Sequence, residues 1–189
     1  MKTSRDDLLA IAFRLFLTKG PEHTSMQDLA RASGLSKGAF HHYFPRKQDL
    51  LDACLERFFH DFLPRTEDLA TGGIDDCVHA LARRYGEALI NLRAHDVPLA
   101  AYQAFLWTRL RDDPQPLQAG QAAFLEALAA KLETGLPGES GAVRARRLMA
   151  LIEGTGTLLC LENTPDPALI ARRFDEAARG FLAGLDAAT

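Results

Sequence analysis

Cysteine is scarce here: Cys54, Cys77 and Cys160 lie far apart and form no Cys-x-x-Cys pair. That spacing excludes a disulfide framework and a zinc ribbon, and it suits a reducing cytosol. Each cysteine is flanked by apolar helix formers, the setting of a small buried hydrophobe. No run approaches the roughly 18 uninterrupted apolar residues of a membrane span. The start, Met1-Lys2-Thr3-Ser4-Arg5-Asp6-Asp7, lacks the apolar core and cleavage site of an export signal. A soluble cytoplasmic protein with no membrane partner is therefore expected. Gly-x-Ser-x-Gly, His-Glu-x-x-His, phosphate-loop and dinucleotide patterns are all missing, so no enzyme, no catalytic residue and no cofactor is expected. Asp75-Asp76 and Asp112-Asp113 read as helix caps and solvated faces, not acid/base pairs.

Strand patterning is missing too: no stretch of 4–8 residues alternates apolar and polar. Apolar residues recur instead at helical spacing almost throughout, which predicts an all-α fold of about nine helices. The first helix is expected from about Ser4 to Thr18, burying Leu8, Leu9, Ile11, Ala12, Phe13, Leu15 and Phe16 before Gly20-Pro21 stops it. Two short helices follow, then a longer one from near Arg46 carrying Leu50, Leu51, Cys54, Leu55, Phe58, Phe59 and Phe62 to Pro64. Beyond Thr71-Gly72-Gly73, helices are expected at about 74–94, 98–111, 115–135, 141–163 and 167–186. Pro98, Asp113-Pro114, Leu136-Pro137-Gly138 and Thr164-Pro165-Asp166-Pro167 punctuate them. At 189 residues the chain buries about 70% of its unfolded surface and needs no covalent staple.

The formal charge of −3 hides an asymmetry: residues 1–50 hold eight Lys/Arg against five Asp/Glu, and residues 51–189 hold fourteen against twenty. A basic head on an acidic body suits a protein that presents one end to phosphate. The head also holds the most specific pattern in the chain. Thr24 and Gln27 have capping-box spacing, and Met26, Leu29, Ala30 and Ala32 give the following helix an apolar side. Gly34 sits where a left-handed stop is needed. Leu35 can pin the turn, and Ser36 can cap a second helix bearing Lys37, Gly38, Ala39, Phe40, His41, His42 and Tyr43. Helix, tight glycine turn and second helix make a helix-turn-helix. Adjacent helical residues diverge by about 100°, so His41-His42 is no metal pair, and no metal site is expected.

Leu35-Ser-Lys-Gly-Ala-Phe-His-His-Tyr-Phe-Pro-Arg-Lys-Gln-Asp-Leu-Leu51 resembles the signature of the TetR/AcrR family of bacterial transcriptional regulators. The similarity covers the first quarter to third of the chain, with cap, turn, aromatic run, Pro and Leu-Leu in one register. It implies a three-helix DNA-binding head at 1–50 and a helical-bundle body for ligand binding and dimerisation at 51–189. Thr24, Ser25, Ser36, Lys37, Gly38, Ala39, His41, His42, Tyr43, Arg46 and Lys47 are then the expected DNA contacts. Small Gly38 and Ala39 allow close approach to the groove, Phe40 faces inward, and Lys47 is the family's backbone grip. His41 departs from the Tyr that many relatives carry.

For the body the resemblance implies a homodimer on a near-palindromic double-stranded DNA operator and a small-molecule effector. Met149, Leu151, Ile152, Gly154, Thr155, Gly156, Leu158 and Leu159, with Ile170, Phe174, Ala177, Ala178, Phe181 and Leu182, are the expected seam. Tyr85, His95, Tyr102, Phe105, Leu106, Trp107, Phe124 and Glu153 mix aromatic area with a few polar groups and are the expected lining for an apolar or aromatic effector. The expected function is ligand-released repression. Its rivals are a constitutive DNA-binding protein without effector, a helical small-molecule carrier, and a thiol-based redox sensor.

Overall fold

The computed structural model describes residues 4–62, 66–69, 72–94, 97–112, 115–133, 139–162 and 166–186; side chains at 58–62, 68, 109–112, 116, 117, 119 and 186 lie outside that description. Among the described residues the chain is all helix: α1 Arg5–Lys19, α2 Met26–Ser33, α3 Lys37–Tyr43, α4 Lys47–Phe62, a 3-10 turn Thr66–Leu69, α5 Ile74–Ala94, α6 Leu99–Asp112, α7 Gln115–Glu133, α8 Gly141–Leu161 and α9 Pro167–Asp186. Proline and glycine punctuation placed these boundaries to within two residues. The 3-10 turn had no signal in the apolar period.

Local chemistry explains the head. Ser4 caps α1, accepting from the Asp7 amide at 3.1 Å while the Asp7 carboxylate accepts from the Ser4 amide at 2.9 Å. At α2 the structure corrects the expected Thr24/Gln27 box. Ser25 is the cap, accepting from the Asp28 amide at 3.1 Å, and Asp28 accepts from the Ser25 amide at 3.0 Å and hydroxyl at 2.7 Å. Thr24 is instead 1% exposed, and its hydroxyl donates to the Gly20 carbonyl at 2.8 Å. Gly34 closes α2 in the left-handed region at φ 72°, its amide reaching the Ala30 and Arg31 carbonyls. Ser36 caps α3 by accepting from the Ala39 amide at 3.2 Å.

Leu8, Leu9, Ala12, Phe16, Leu29, Phe40, Phe44, Leu50, Leu51, Cys54 and Leu55 are buried together as the head core. Each large side chain there contributes about 1.5–3 kcal/mol of hydrophobic free energy. The expected division at residue 50/51 therefore falls inside α4, because Leu51, Cys54 and Leu55 pack on the head. Asp6 and Arg57 pair at 2.9 Å across α1 and α4, and the Cys54 thiol donates to the Leu9 carbonyl at 3.6 Å.

In the body, α5 runs along α9, α7 along α8, and α8 packs on α9. Leu148, Ile152, Phe174 and Phe181 are fully buried at that junction. Buried Arg144 donates to the Leu132 carbonyl at 3.1 Å and so serves the last turn of α7. Head and body meet where α1 touches α6 and α4 touches α5. The Phe13 and Phe105 rings stand edge to face there, 6.1 Å between centroids.

The corrected cap is testable by chemical denaturation. Ser25→Ala is expected to lose about 1 kcal/mol, and Gln27→Ala to stay within about 0.5 kcal/mol of the parent. The Ser25 and Ser4 bonds also hold the Asp28 and Asp7 carboxyls below their ordinary range. A depressed folded pKa gives stability that is present above the unfolded value and lost as pH falls through the folded one. The two caps are thus expected to weaken only in acid, below about pH 4.

Candidate nucleic-acid interface and body crevice

Helix α3 is held by its one buried residue, Phe40, and by Phe44 just beyond it. With that side taken, Lys37, Gly38, Ala39, His42 and Tyr43 are all exposed. A Cβ built on Gly38 meets no heavy atom within 4 Å, so the front of the helix is open to a close-approaching surface. His41 differs: it is half-buried, with Nδ1 3.2 Å from the Pro45 carbonyl. A carbonyl only accepts, so that bond requires the Nδ1–H tautomer and ties the ring to the turn before α4.

The flanking cations are differently committed. Lys47 Nζ donates to the Pro21 carbonyl at 2.9 Å, bringing the start of α4 against the α1–α2 turn. One of its three ammonium donors is used, leaving two. Arg46 is exposed and grips Asp49 through Nε at 3.1 Å and Nη2 at 2.5 Å. Thr24 leaves the expected set, since its hydroxyl is buried and already bonded. Ser25 and Ser36 are exposed, but their hydroxyl oxygens serve the caps. A residue with no sequence signal completes the head: the Arg5 guanidinium stacks 5.2 Å from the Phe44 ring centroid.

In the body the expected ligand set divides. Trp107 is 60% exposed and points away from the interior. Phe105 is spent on Phe13 of α1, and Phe124 is buried in the packing of α7. Leu106 is half-buried, and His95 lies outside the described residues. Tyr85, Tyr102 and Glu153 remain, one each on α5, α6 and α8, which pack against one another. Both tyrosines are half-buried and Glu153 is exposed. Yet burial pushes both phenols well above their ordinary range and raises the Glu153 carboxyl. Both phenols feel the Glu153 charge, and Tyr102 also feels Cys160, so the four groups are neighbours.

The expected dimer stripe divides between the inside of the chain and its surface. Met149, Ile152, Leu159, Phe174, Ala178 and Phe181 are each at most 5% exposed within one chain. Gly156 turns its Cβ direction to Phe174 and Leu89, and the Thr155 hydroxyl donates to the Leu151 carbonyl at 2.7 Å. Leu151 and Leu158 of the same stripe are open at 42% and 64% exposure, on a side of α8 that also carries Val143 and Leu161 at 41% and 78%. Gly154 on that side and Gly180 on α9 face open space.

An all-helical body behind a helix-turn-helix head defines the class of protein. Residues 8–54 match the family model described as bacterial regulatory proteins, tetR family. The first quarter of the chain is thus similar to the DNA-binding head of that family. It is 39% identical over 59 residues to the HTH-type transcriptional regulator YuxN of Bacillus subtilis, covering 31% of this chain and 20% of that protein. It is 32% identical over 71 residues to the HTH-type transcriptional repressor KstR2 of Rhodococcus jostii, covering 38% and 35%. The chain thus spans only about a fifth to a third of the curated relatives' lengths. The whole fold is shared more widely. Bacillus subtilis FadR in complex with stearoyl-CoA superposes at TM-score 0.72 with 14% identity, covering 96% of this chain and 99% of that one. Mycobacterium tuberculosis KstR2, a ketosteroid transcriptional regulator, superposes at 0.69 with 19% identity, covering 98% and 96%. Among the described residues no helix is long and apolar enough to cross a membrane.

The thiols are poorly suited to redox sensing. Burial pushes Cys54 up to about 12 and Cys160 to about 11, and raises Cys77 as well. The thiolate is the reactive form, so at pH 7 to 8 a disulfide reagent such as DTNB is expected to label none of the three in the native protein and all three in guanidinium. Fast native labelling of any one would restore the redox reading.

Proposed function

We propose that this chain is a transcriptional regulator that binds a near-palindromic operator as a homodimer, represses, and releases DNA when a small apolar or aromatic effector enters the body. The observation that carries the reading is α3. Phe40 anchors it, and Lys37, Gly38, Ala39, His42 and Tyr43 present an open, cationic and small-residue front. Lys37 is placed for a guanine edge or a phosphate, the Ala39 methyl for a thymine methyl, and His42 and Tyr43 for phosphate and sugar. Lys47, with Arg46 beside it, supplies backbone charge.

One head neutralises few phosphates, so useful affinity requires two on a two-fold axis, about 34–36 Å apart. The proposed seam is the open side of α8, Leu151, Gly154, Leu158 and Leu161, together with Gly180 of α9. A second copy covering those leucines removes apolar area that a lone chain leaves wet. Effector release works through α6. Tyr102 is half-buried on α6, and Phe105, three residues on, meets Phe13 of the head edge to face. A ligand that shifts α6 shifts the support under α1, and the two heads lose the spacing that matches successive grooves.

Fluorescence anisotropy on the chain's own upstream DNA, and on a duplex selected from a random library, tests this across a salt series. The wild type is expected to bind saturably and to be competed poorly by random duplex. Lys37→Ala/Lys47→Ala is expected to lose at least about tenfold and to show a shallower salt slope by about 2. Leu158→Asp is expected to sediment as a monomer and to lose operator binding with its helix content intact. No selected motif at all would sink the regulator reading.

A further inference from the structure

We infer that Arg5 is a further DNA contact: its guanidinium, held on the Phe44 ring, grips an operator phosphate beside the C-terminal end of α3. This rests on the reading of the head as a DNA-binding element. It adds a residue that lies outside both the helix-turn-helix and the stretch 8–54 that matches the family model. Arg5 is exposed and opens α1, and its guanidinium lies 5.2 Å from the centre of the Phe44 ring. Phe44 follows directly on His42 and Tyr43, so the cation stands at the end of α3 that carries those exposed aromatics. A ring takes the face of a guanidinium and leaves N–H donors for an acceptor. The neighbouring carboxylates are engaged elsewhere. Asp6 pairs with Arg57 at 2.9 Å, and Asp7 accepts from the Ser4 amide and hydroxyl at 2.9 and 2.8 Å. Lys47 donates to the Pro21 carbonyl and Arg46 to Asp49, whereas Arg5 has no internal acceptor among the described residues. A cation on the first turn of a helix also opposes the helix dipole, which Asp6 and Asp7 satisfy. Covering Phe44 needs only an apolar stem. A phosphate, by contrast, takes the planar fork of a guanidinium through paired N–H groups.

The test uses Arg5→Met, which keeps a stem over the ring and removes the charge. Anisotropy is read across a salt series on a duplex selected from a random library and on an unrelated duplex. Arg5→Met is expected to lose at least about fivefold on both duplexes at about 0.1 M salt, with a salt slope shallower by about 1 for each head bound. An equal loss on both sequences marks a phosphate contact, since a base contact would weaken the selected duplex more. Wild-type affinity and slope in Arg5→Met would reduce Arg5 to a cover for Phe44 and overturn the inference. A second measurement holds even where Arg5→Met melts lower than wild type. Single phosphates of the selected duplex are replaced in turn by neutral methylphosphonates. One replacement in each half-site is expected to weaken wild type severalfold and to leave Arg5→Met unchanged. Equal losses in both proteins at every phosphate would overturn the inference. Binding that Lys37→Ala/Lys47→Ala loses and Arg5→Met keeps would overturn the role of Arg5 alone and leave the regulator reading standing. A library that yields no motif would sink that reading, and this inference with it.

Discussion

A helix of seven residues has too few internal hydrogen bonds to persist alone in water, so α3 depends on what buries it. Phe40 and Phe44 supply that burial, and the rest of the head is arranged around them. Gly34 turns the chain so that the Leu35 amide reaches the Ala30 carbonyl at 3.1 Å. Ser36 then starts α3 in the one direction that sends Phe40 inward. Arg5 covers the Phe44 ring from the far end of the chain. Because one side chain per turn is enough to hold so short a helix, the remaining positions are free of packing duty. Their small and basic residues therefore reflect what meets them from outside.

Among the described residues, head and body meet where α1 touches α6 and α4 touches α5. The Asp6–Arg57 pair and the Cys54 thiol on the Leu9 carbonyl hold α4 to α1. The Phe13–Phe105 edge contact then joins α1 to α6. Packed aromatic edges switch between discrete arrangements rather than deforming smoothly. Tyr102 and Phe105 sit within one turn of α6, so the proposed effector region and the head contact share one helix.

Helix positions were legible in the sequence because apolar period and Pro/Gly punctuation agree along the whole chain. The helix-turn-helix was legible for a stronger reason, since cap, glycine and Phe40 each have one geometric use. The errors also have physical causes. Thr24-x-x-Gln27 and Ser25-x-x-Asp28 overlap by one residue, and Thr24 lost because the core needed its methyl group and the Gly20 carbonyl needed its hydroxyl. The expected seam stripe splits between two faces because α8 is apolar nearly all round. Leu148, Met149, Ile152 and Leu159 face its own chain, while Leu151, Leu158 and Leu161 face outward. A stripe in a sequence shows that a face will be buried, not by whom. Trp107 shows a related limit: size argues for burial, but its position on α6 faces solvent.

The energetics of release bound what the proposed effector region must do. Moving a two-state equilibrium from 1:99 to 99:1 needs about 5.5 kcal/mol of differential ligand affinity. Burial of one ring contributes about 1.5–3 kcal/mol. That alone does not suffice, and only the fraction that differs between the two body shapes counts. In a dimer both sites act on one DNA complex, so the required difference per site is halved to a little under 3 kcal/mol. That lies at the top of what one buried ring supplies.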